Sequence, residues 1–334
     1  MVDPTAPEAG ERLRAALRAR DIPVPAPRLS LPDLEISLLG VGESYAAWLA
    51  SDGATSLVFR LARRAPSDMA CPMIDELRAG ALIPDGLGSR PLAMDESSAN
   101  PLGTPYLVSS FVPGSVRAPG EWDLSLLRAH ARRLADLHQR RFALAGPVGA
   151  EGSRLDIVDE FDGAYSWWRT ARPEAAESPE VVALAGRIRP RLVAAAPAFD
   201  GIDYALTHGD LVATNVVVDD AGTPRYIDWE WARIGDVAND LALIGGRVTG
   251  GPWYVPMDDA TVDEFLHAYR SARLELSDDV EPLDQLRTRR DAWELMERFL
   301  SSLHFERRAP DAPMYAQAAR EIRDGLRTVL DDAR

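Results

Sequence analysis

The chain has 334 residues, 46% hydrophobic and 27% charged, an ordinary soluble composition long enough for two lobes or one large domain. Its formal net charge of −15 argues against nucleic acid, which needs a basic footprint, and suits a cationic small molecule. All 37 basic residues are arginine, so a Walker A loop and lysine-based chemistry are excluded, and the single Cys71 excludes an intrachain disulfide framework.

The start, Met1-Val2-Asp3-Pro4-Thr5, is acidic and lacks the basic-then-apolar pattern of a secretory signal. No apolar run approaches the length of a membrane span, so a cytoplasmic protein is expected. Residues 1–27 combine an amphipathic stretch, Glu8 to Arg20, with Pro23, Pro25 and Pro27; this predicts an appended helix and a linker.

Residues 28–112 change character. Ile36-Ser37-Leu38-Leu39, Ala47-Trp48-Leu49 and Leu57-Val58-Phe59-Arg60-Leu61 predict strands, separated by Gly40-Val41-Gly42-Glu43-Ser44 and by the hairpin signal Asp52-Gly53. A short helix is expected over Pro72–Leu82, then a strand over Tyr106–Val112 that Pro113-Gly114 ends. Residues 113–334 read mostly as helix. From Trp122 to Arg141, Leu124, Leu127, Ala131, Leu134 and Leu137 recur at helical spacing, and further helices are expected at about 155–171, 179–196, 260–276, 284–308 and 314–332. The fold class is therefore α+β: an antiparallel, sheet-rich N-lobe with one helix, and a mainly helical C-lobe.

One polar hairpin interrupts those helices. Thr207-His208-Gly209-Asp210-Leu211-Val212-Ala213-Thr214-Asn215 leads into Val216-Val217-Val218, a turn at Asp219–Thr223, and Arg225-Tyr226-Ile227-Asp228-Trp229. With the midpoint between Ala221 and Gly222, Asn215 and Asp228 are equidistant from it and are expected to face each other at roughly 5 Å between Cα atoms. An amide oxygen and a carboxylate are hard donors suited to magnesium on phosphates. Asp210, five residues before Asn215, is expected to reach a substrate hydroxyl. Each residue alone would be an ordinary loop or strand-end polar group; their order and spacing carry the inference.

His208-Gly209-Asp210, Asn215 and Ile227-Asp228-Trp229 together resemble the aminoglycoside phosphotransferase and choline kinase family. Gly235-Asp236-Val237-Ala238-Asn239-Asp240-Leu241-Ala242 and Leu137-His138 fit the same pattern. The resemblance implies a bilobal, protein-kinase-like small-molecule kinase. Asp210 would be the catalytic base, Asn215 and Asp228 the magnesium ligands, and His208 and Asp240 supports for the loop. A nucleoside triphosphate, ATP or GTP, would be the donor.

The N-lobe departs from the protein-kinase pattern at two positions. Arg60 stands where a lysine usually grips the α and β phosphates, with Glu76 (or else Asp75) as its carboxylate partner. Tyr45 stands where the third glycine of the phosphate loop would be, leaving Gly42 and Ser44 as phosphate contacts. Backbone groups near Ser110 and Val112 would meet the base. Trp253 and Tyr254, after Gly250-Gly251-Pro252, are candidate acceptor contacts, as are Glu297 and Glu306 in an acidic pocket; simple packing and a solvated face are the alternatives.

The expected activity is transfer of a phosphoryl group to a small-molecule hydroxyl, first an aminoglycoside or related antibiotic. The alternatives are a macrolide, or a metabolite such as choline, an amino alcohol or a sugar. From another class, a non-catalytic nucleotide-binding regulator on the same scaffold is the competing expectation.

Overall fold

The computed structural model describes residues 3–24, 29–69 and 71–332. Met1 and Val2 of the acidic start, and Pro25 and Pro27 of the expected linker, lie outside the described residues. The fold is α+β, and the chain divides into two compact units. One comprises Met1–Pro113 with Ile227–Ala232, the other Gly114–Tyr226 with Arg233–Arg334.

In the first unit, strands β1 (Glu35–Val41), β2 (Tyr45–Ser51), β3 (Ser56–Ala62), β4 (Pro91–Asp95) and β5 (Tyr106–Ser110) form one antiparallel sheet in the order β1-β2-β3-β5-β4. Strand alternation sorts side chains to two faces. Ala46, Trp48, Ala50, Leu57, Phe59, Leu61, Tyr106 and Val108 point to one of them. Tyr45, Ala62 and Leu107 pack with Met73 of α2 (Met73–Gly80) on the other. The strand expected over Tyr106–Val112 stops at Ser110, and β4 was not anticipated, because Pro91 heads a run without clear alternation.

Helix α1 (Pro7–Ala19) is not a mere appendage. Ala9, Leu13, Ala16 and Leu17 are buried in the same cluster as Trp48 and Phe59, and the Trp48 indole N–H donates to the Pro4 carbonyl at 2.8 Å. The amphipathic stretch from Glu8 to Arg20 forms the expected helix; what its apolar stripe covers is not encoded locally.

The second unit carries α3 (Leu124–Leu137), α4 (Ile157–Ala171), α5 (Pro173–Ala176), α6 (Pro179–Ala195), α7 (Val237–Leu243), α8 (Asp259–Leu276), α9 (Leu283–Arg308) and α10 (Pro313–Asp331). The long helices fall where apolar periodicity placed them. Side-chain caps fix several starts: Asp123 accepts from the Leu126 amide, Asp156 from Val158, and Asp258 from Thr261. α3 packs on α8, while α9 packs on α10, α7 and α6. Among the described residues, no helix is long and apolar enough to cross a membrane.

The hairpin of β9 (Val216–Val218) and β10 (Pro224–Tyr226) does not stand alone. β6 (Ser115–Val116) pairs with β9, and β8 (Tyr204–Thr207) joins β7 (Arg141–Phe142) and β11 (Arg233–Gly235) in a second small sheet. Its register also differs from expectation. Val216 pairs with Tyr226 and Val218 with Pro224, so the midpoint falls on Ala221, and Asn215 and Asp228 are not equidistant from it. The cause is the turn. The Asp219 amide donates to the Thr223 carbonyl at 3.2 Å, and Gly222 takes φ 78°, leaving a three-residue loop that starts β10 one residue early.

Candidate active site

Asp210 follows β8 on a loop, and Asn215 ends a single 3-10 turn, Ala213–Asn215, that runs into β9. The Asn215 Nδ2 donates both to the Asp210 carbonyl and to its Oδ2, each at 2.8 Å. That fixes the amide orientation from the bonding network: nitrogen toward Asp210, oxygen away from it. The turn itself is anchored by the Ala213 amide, which donates to the Trp253 carbonyl at 2.8 Å.

The start of the loop is held by one buried carboxylate. Asp240 of α7 accepts the His208 amide at 2.8 Å and the Gly209 amide at 2.9 Å, one on each oxygen. His138, at the C-terminal cap of α3, places Nε2 3.2 Å from the same group and Nδ1 3.0 Å from the Tyr269 hydroxyl. Because a carboxylate only accepts, Nε2 carries the proton. Burial pushes the Asp240 carboxyl up, but His138 and the loop amide outweigh it, and its pKa lies below the ordinary value. Burial holds the His138 imidazole below its ordinary pKa, with Asp240 pulling the other way. The Asp210 amide in turn donates to His208 Nδ1 at 3.3 Å.

α7 is itself placed by α9. Asp236 caps the Ala238 amide at 3.1 Å and receives Arg289 Nε at 3.0 Å and the Trp293 indole N–H at 2.9 Å. Arg298 donates to the Val248 and Ala242 carbonyls at 3.0 and 2.9 Å. These links turn a helix of ordinary periodicity into the support of a polar loop.

In the first unit, Arg60 of β3 is 8% exposed. One amino group donates to Glu76 Oε1 of α2 and the other to Asp228 Oδ1. Glu76 is thus the carboxylate partner; Asp75 pairs instead with Arg78 at 3.2 Å. Burial raises the Glu76 carboxyl to about 7, with Arg60 pulling the other way. Asp228 adopts φ 67°, a left-handed conformation uncommon outside glycine, which re-aims the chain two residues after β10.

Glu230 escaped the sequence reading, although it lies two residues beyond Asp228 in the same polar run. It interacts with Asp228 and Arg60 and is hydrogen bonded to Ser44; burial, then the Asp228 charge, lifts its carboxyl to about 7. Ser44 is therefore engaged by Glu230, while the Gly42 amide donates to the Tyr45 carbonyl at 2.8 Å. The Gly42 carbonyl accepts from Arg63, so this loop is clasped by protein groups. The Ser110 Oγ accepts the Arg90 amide at 2.9 Å, and Val112 is nearly buried.

Each candidate acceptor contact has protein partners. Tyr254 is 3% exposed, donates its hydroxyl to Ser301 at 2.7 Å and lies under the Arg298 guanidinium at 3.6 Å. Trp253 stacks on Phe305 at 4.3 Å and on Tyr315 at 5.7 Å. Glu297 accepts from Asn239 at 2.8 Å, and Glu306 pairs with Arg323 at 3.1 Å. The Trp253 carbonyl, not its ring, accepts from the Asn215 turn, through the Ala213 amide.

The donors fit a magnesium nucleotide in chemistry. Among the described residues no cluster of three or more His, Cys, Asp or Glu side chains is built to hold a metal. Magnesium instead is typically bound through one or two carboxylates plus substrate phosphates, and the outward amide oxygen of Asn215 and the carboxylate of Asp228 are hard donors of that kind.

A polar loop anchored by a buried aspartate, and an arginine–glutamate pair tying an antiparallel sheet to its helix, are the marks of a kinase-like class. The model of the phosphotransferase enzyme family (APH) matches residues 35–281, and the chain belongs to that family. It is 34% identical to viomycin phosphotransferase of Streptomyces vinaceus over 194 residues, 54% of this chain and 64% of that protein, so the match spans under two thirds of the relative's length. In fold it is similar to an ethanolamine kinase of Plasmodium vivax, with TM-score 0.61 and 13% identity, covering 95% of this chain and 86% of that one. It is also similar to a thermostable mutant of an aminoglycoside phosphotransferase in complex with ADP and hygromycin B. There the TM-score is 0.58 and the identity 16%, covering 90% of this chain and 95% of that one.

Proposed function

We propose that this protein transfers the γ-phosphoryl group of ATP or GTP to a hydroxyl of an antibiotic-like small molecule. The observation that carries the proposal is the Asp210–Asn215 pair on a loop anchored by Asp240. Family membership and the relative named for viomycin support an antibiotic acceptor, and the net charge of −15 favours a cationic one. The cytoplasm, where nucleoside triphosphates are made, is its proposed location.

Bound magnesium would neutralise polyphosphate charge, with Asn215 and Asp228 as its ligands. Arg60 exchanges its Asp228 contact for donor phosphate oxygens while Glu76 holds its other amino group. Asp210 orients the acceptor hydroxyl and takes its proton as the oxygen bonds to the γ-phosphorus. The bond from that phosphorus to the β-phosphate bridging oxygen breaks, and the nucleoside diphosphate leaves. Catalysis of this kind is mostly positioning and electrostatics.

The test is transfer of radiolabelled γ-phosphate, from ATP and from GTP, to viomycin, aminoglycosides, macrolides, choline-like amines and sugars. Labelling of one antibiotic class is the expected result. Labelling of choline or a sugar alone replaces the acceptor. No labelled product, together with no magnesium-dependent nucleotide turnover, refutes the enzyme and leaves a nucleotide-binding regulator.

A further inference from the structure

The two departures from the kinase pattern, Arg60 for lysine and Tyr45 for glycine, meet in space. β2 and β3 pair Ala47 with Arg60 and Tyr45 with Ala62, so Tyr45 and Arg60 are diagonal neighbours on the same sheet face. Ala47, directly opposite Arg60, is small enough to leave that face open. The Tyr45 ring fills it, with the guanidinium carbon 4.2 Å from the ring centroid. Tyr45 is 6% exposed and Arg60 8%, so the contact is largely removed from water.

The guanidinium is therefore fixed on three sides. Glu76 takes one amino group, Asp228 takes the other, and the ring takes a face. Two in-plane bonds alone leave the fork able to rock about the line joining them. A flat surface beneath it removes that motion. An ammonium group has no plane to lay on a ring and a single nitrogen to share between two carboxylates. A glycine at 45 would leave the arginine face bare.

We propose that Tyr45 is a positioning residue for Arg60, and that the arginine and the tyrosine act as one compensated pair, the ring setting the plane in which the guanidinium presents itself to donor phosphates. This rests on the reading of Arg60 as the phosphate grip. Tyr45 itself touches no reacting atom. Desolvated stacking of this kind is worth enough to change affinity about tenfold.

The test is a double-substitution cycle on Mg·ATP and Mg·GTP affinity measured by calorimetry, with thermal melts as a check on folding. Tyr45→Leu is expected to weaken binding about tenfold with Arg60 present. In an Arg60→Gln background the same change is expected to alter affinity less than about twofold, because no guanidinium remains to be positioned. Tyr45→Phe, which keeps the ring, is expected to restore most of the affinity; Tyr45→Met replaces the leucine variant if that one does not fold. Equal losses in both backgrounds, or failure of the phenylalanine to restore binding, overturn the pairing. Wild-type protein that binds neither nucleotide overturns the phosphate reading and the pairing with it.

Discussion

The Asn215 side-chain nitrogen lies 2.8 Å from both the carbonyl and the carboxylate Oδ2 of Asp210, tying a ligand-type amide to the proposed base across five residues. The same bonds that orient Asp210 turn the Asn215 oxygen outward, so truncating either side chain disturbs the other.

Asp210→Asn removes the proton acceptor while keeping the side-chain shape. The expected outcome is a fall in the rate of γ-phosphate transfer of roughly two to four decades, with nucleotide affinity and thermal stability near wild type. Wild-type turnover in this variant eliminates the assignment of Asp210 as base.

Asn215→Ala removes an oxygen donor and the tether on Asp210 together. The magnesium concentration giving half-maximal activity is expected to rise about 10- to 100-fold, and a metal titration at fixed nucleotide reads it.

Asp240→Asn tests the anchor. An amide cannot accept from the His208 and Gly209 backbones on both of its heavy atoms, so at least one buried N–H loses its partner. A loss of about 1–3 kcal/mol in urea unfolding is expected, together with slower transfer. Unchanged stability would show that the loop stands without Asp240.

Glu76 ties stability to pH. Its carboxyl, normally at 4.5, is raised to about 7 by burial, so the folded protein keeps a proton that the unfolded chain releases between those values. Its contribution is therefore full below about pH 4.5 and is lost as pH rises toward 7. Glu76→Gln, neutral throughout, is expected to flatten this part of the profile, measured as urea midpoints across the window. An identical pH slope in the two proteins would contradict the raised value.

Gly10→Leu tests whether α1 belongs to the sheet core. A Cβ at Gly10 would lie 2.5 Å from the Trp48 ring, whose indole nitrogen is held by Pro4. Overpacking is expected to cost about 1–3 kcal/mol and to lower the melting temperature.

Amino-acid order alone determined the elements with strong local periods: the N-terminal strands, the long helices α3, α6, α8, α9 and α10, and the polar hairpin between β9 and β10. It also offered Asp210, Asn215 and Asp228 as candidates by their order and spacing, and Arg60 with Glu76 by the family resemblance, because motif spacing and residue chemistry are local properties. Tertiary structure alone decided the rest. The one-residue shift in the hairpin came from Gly222 in a left-handed turn, the burial of α1 from an indole waiting on β2, and the convergence of His138, Asp240 and His208 from segments 102 and 32 residues apart. The contacts of Trp253 with Phe305 and of Tyr254 with Arg298 join residues more than forty positions apart, which no local pattern encodes. A sequence fixes which groups each residue can offer; which of those offers is taken up depends on long-range neighbours whose packing no local pattern specifies.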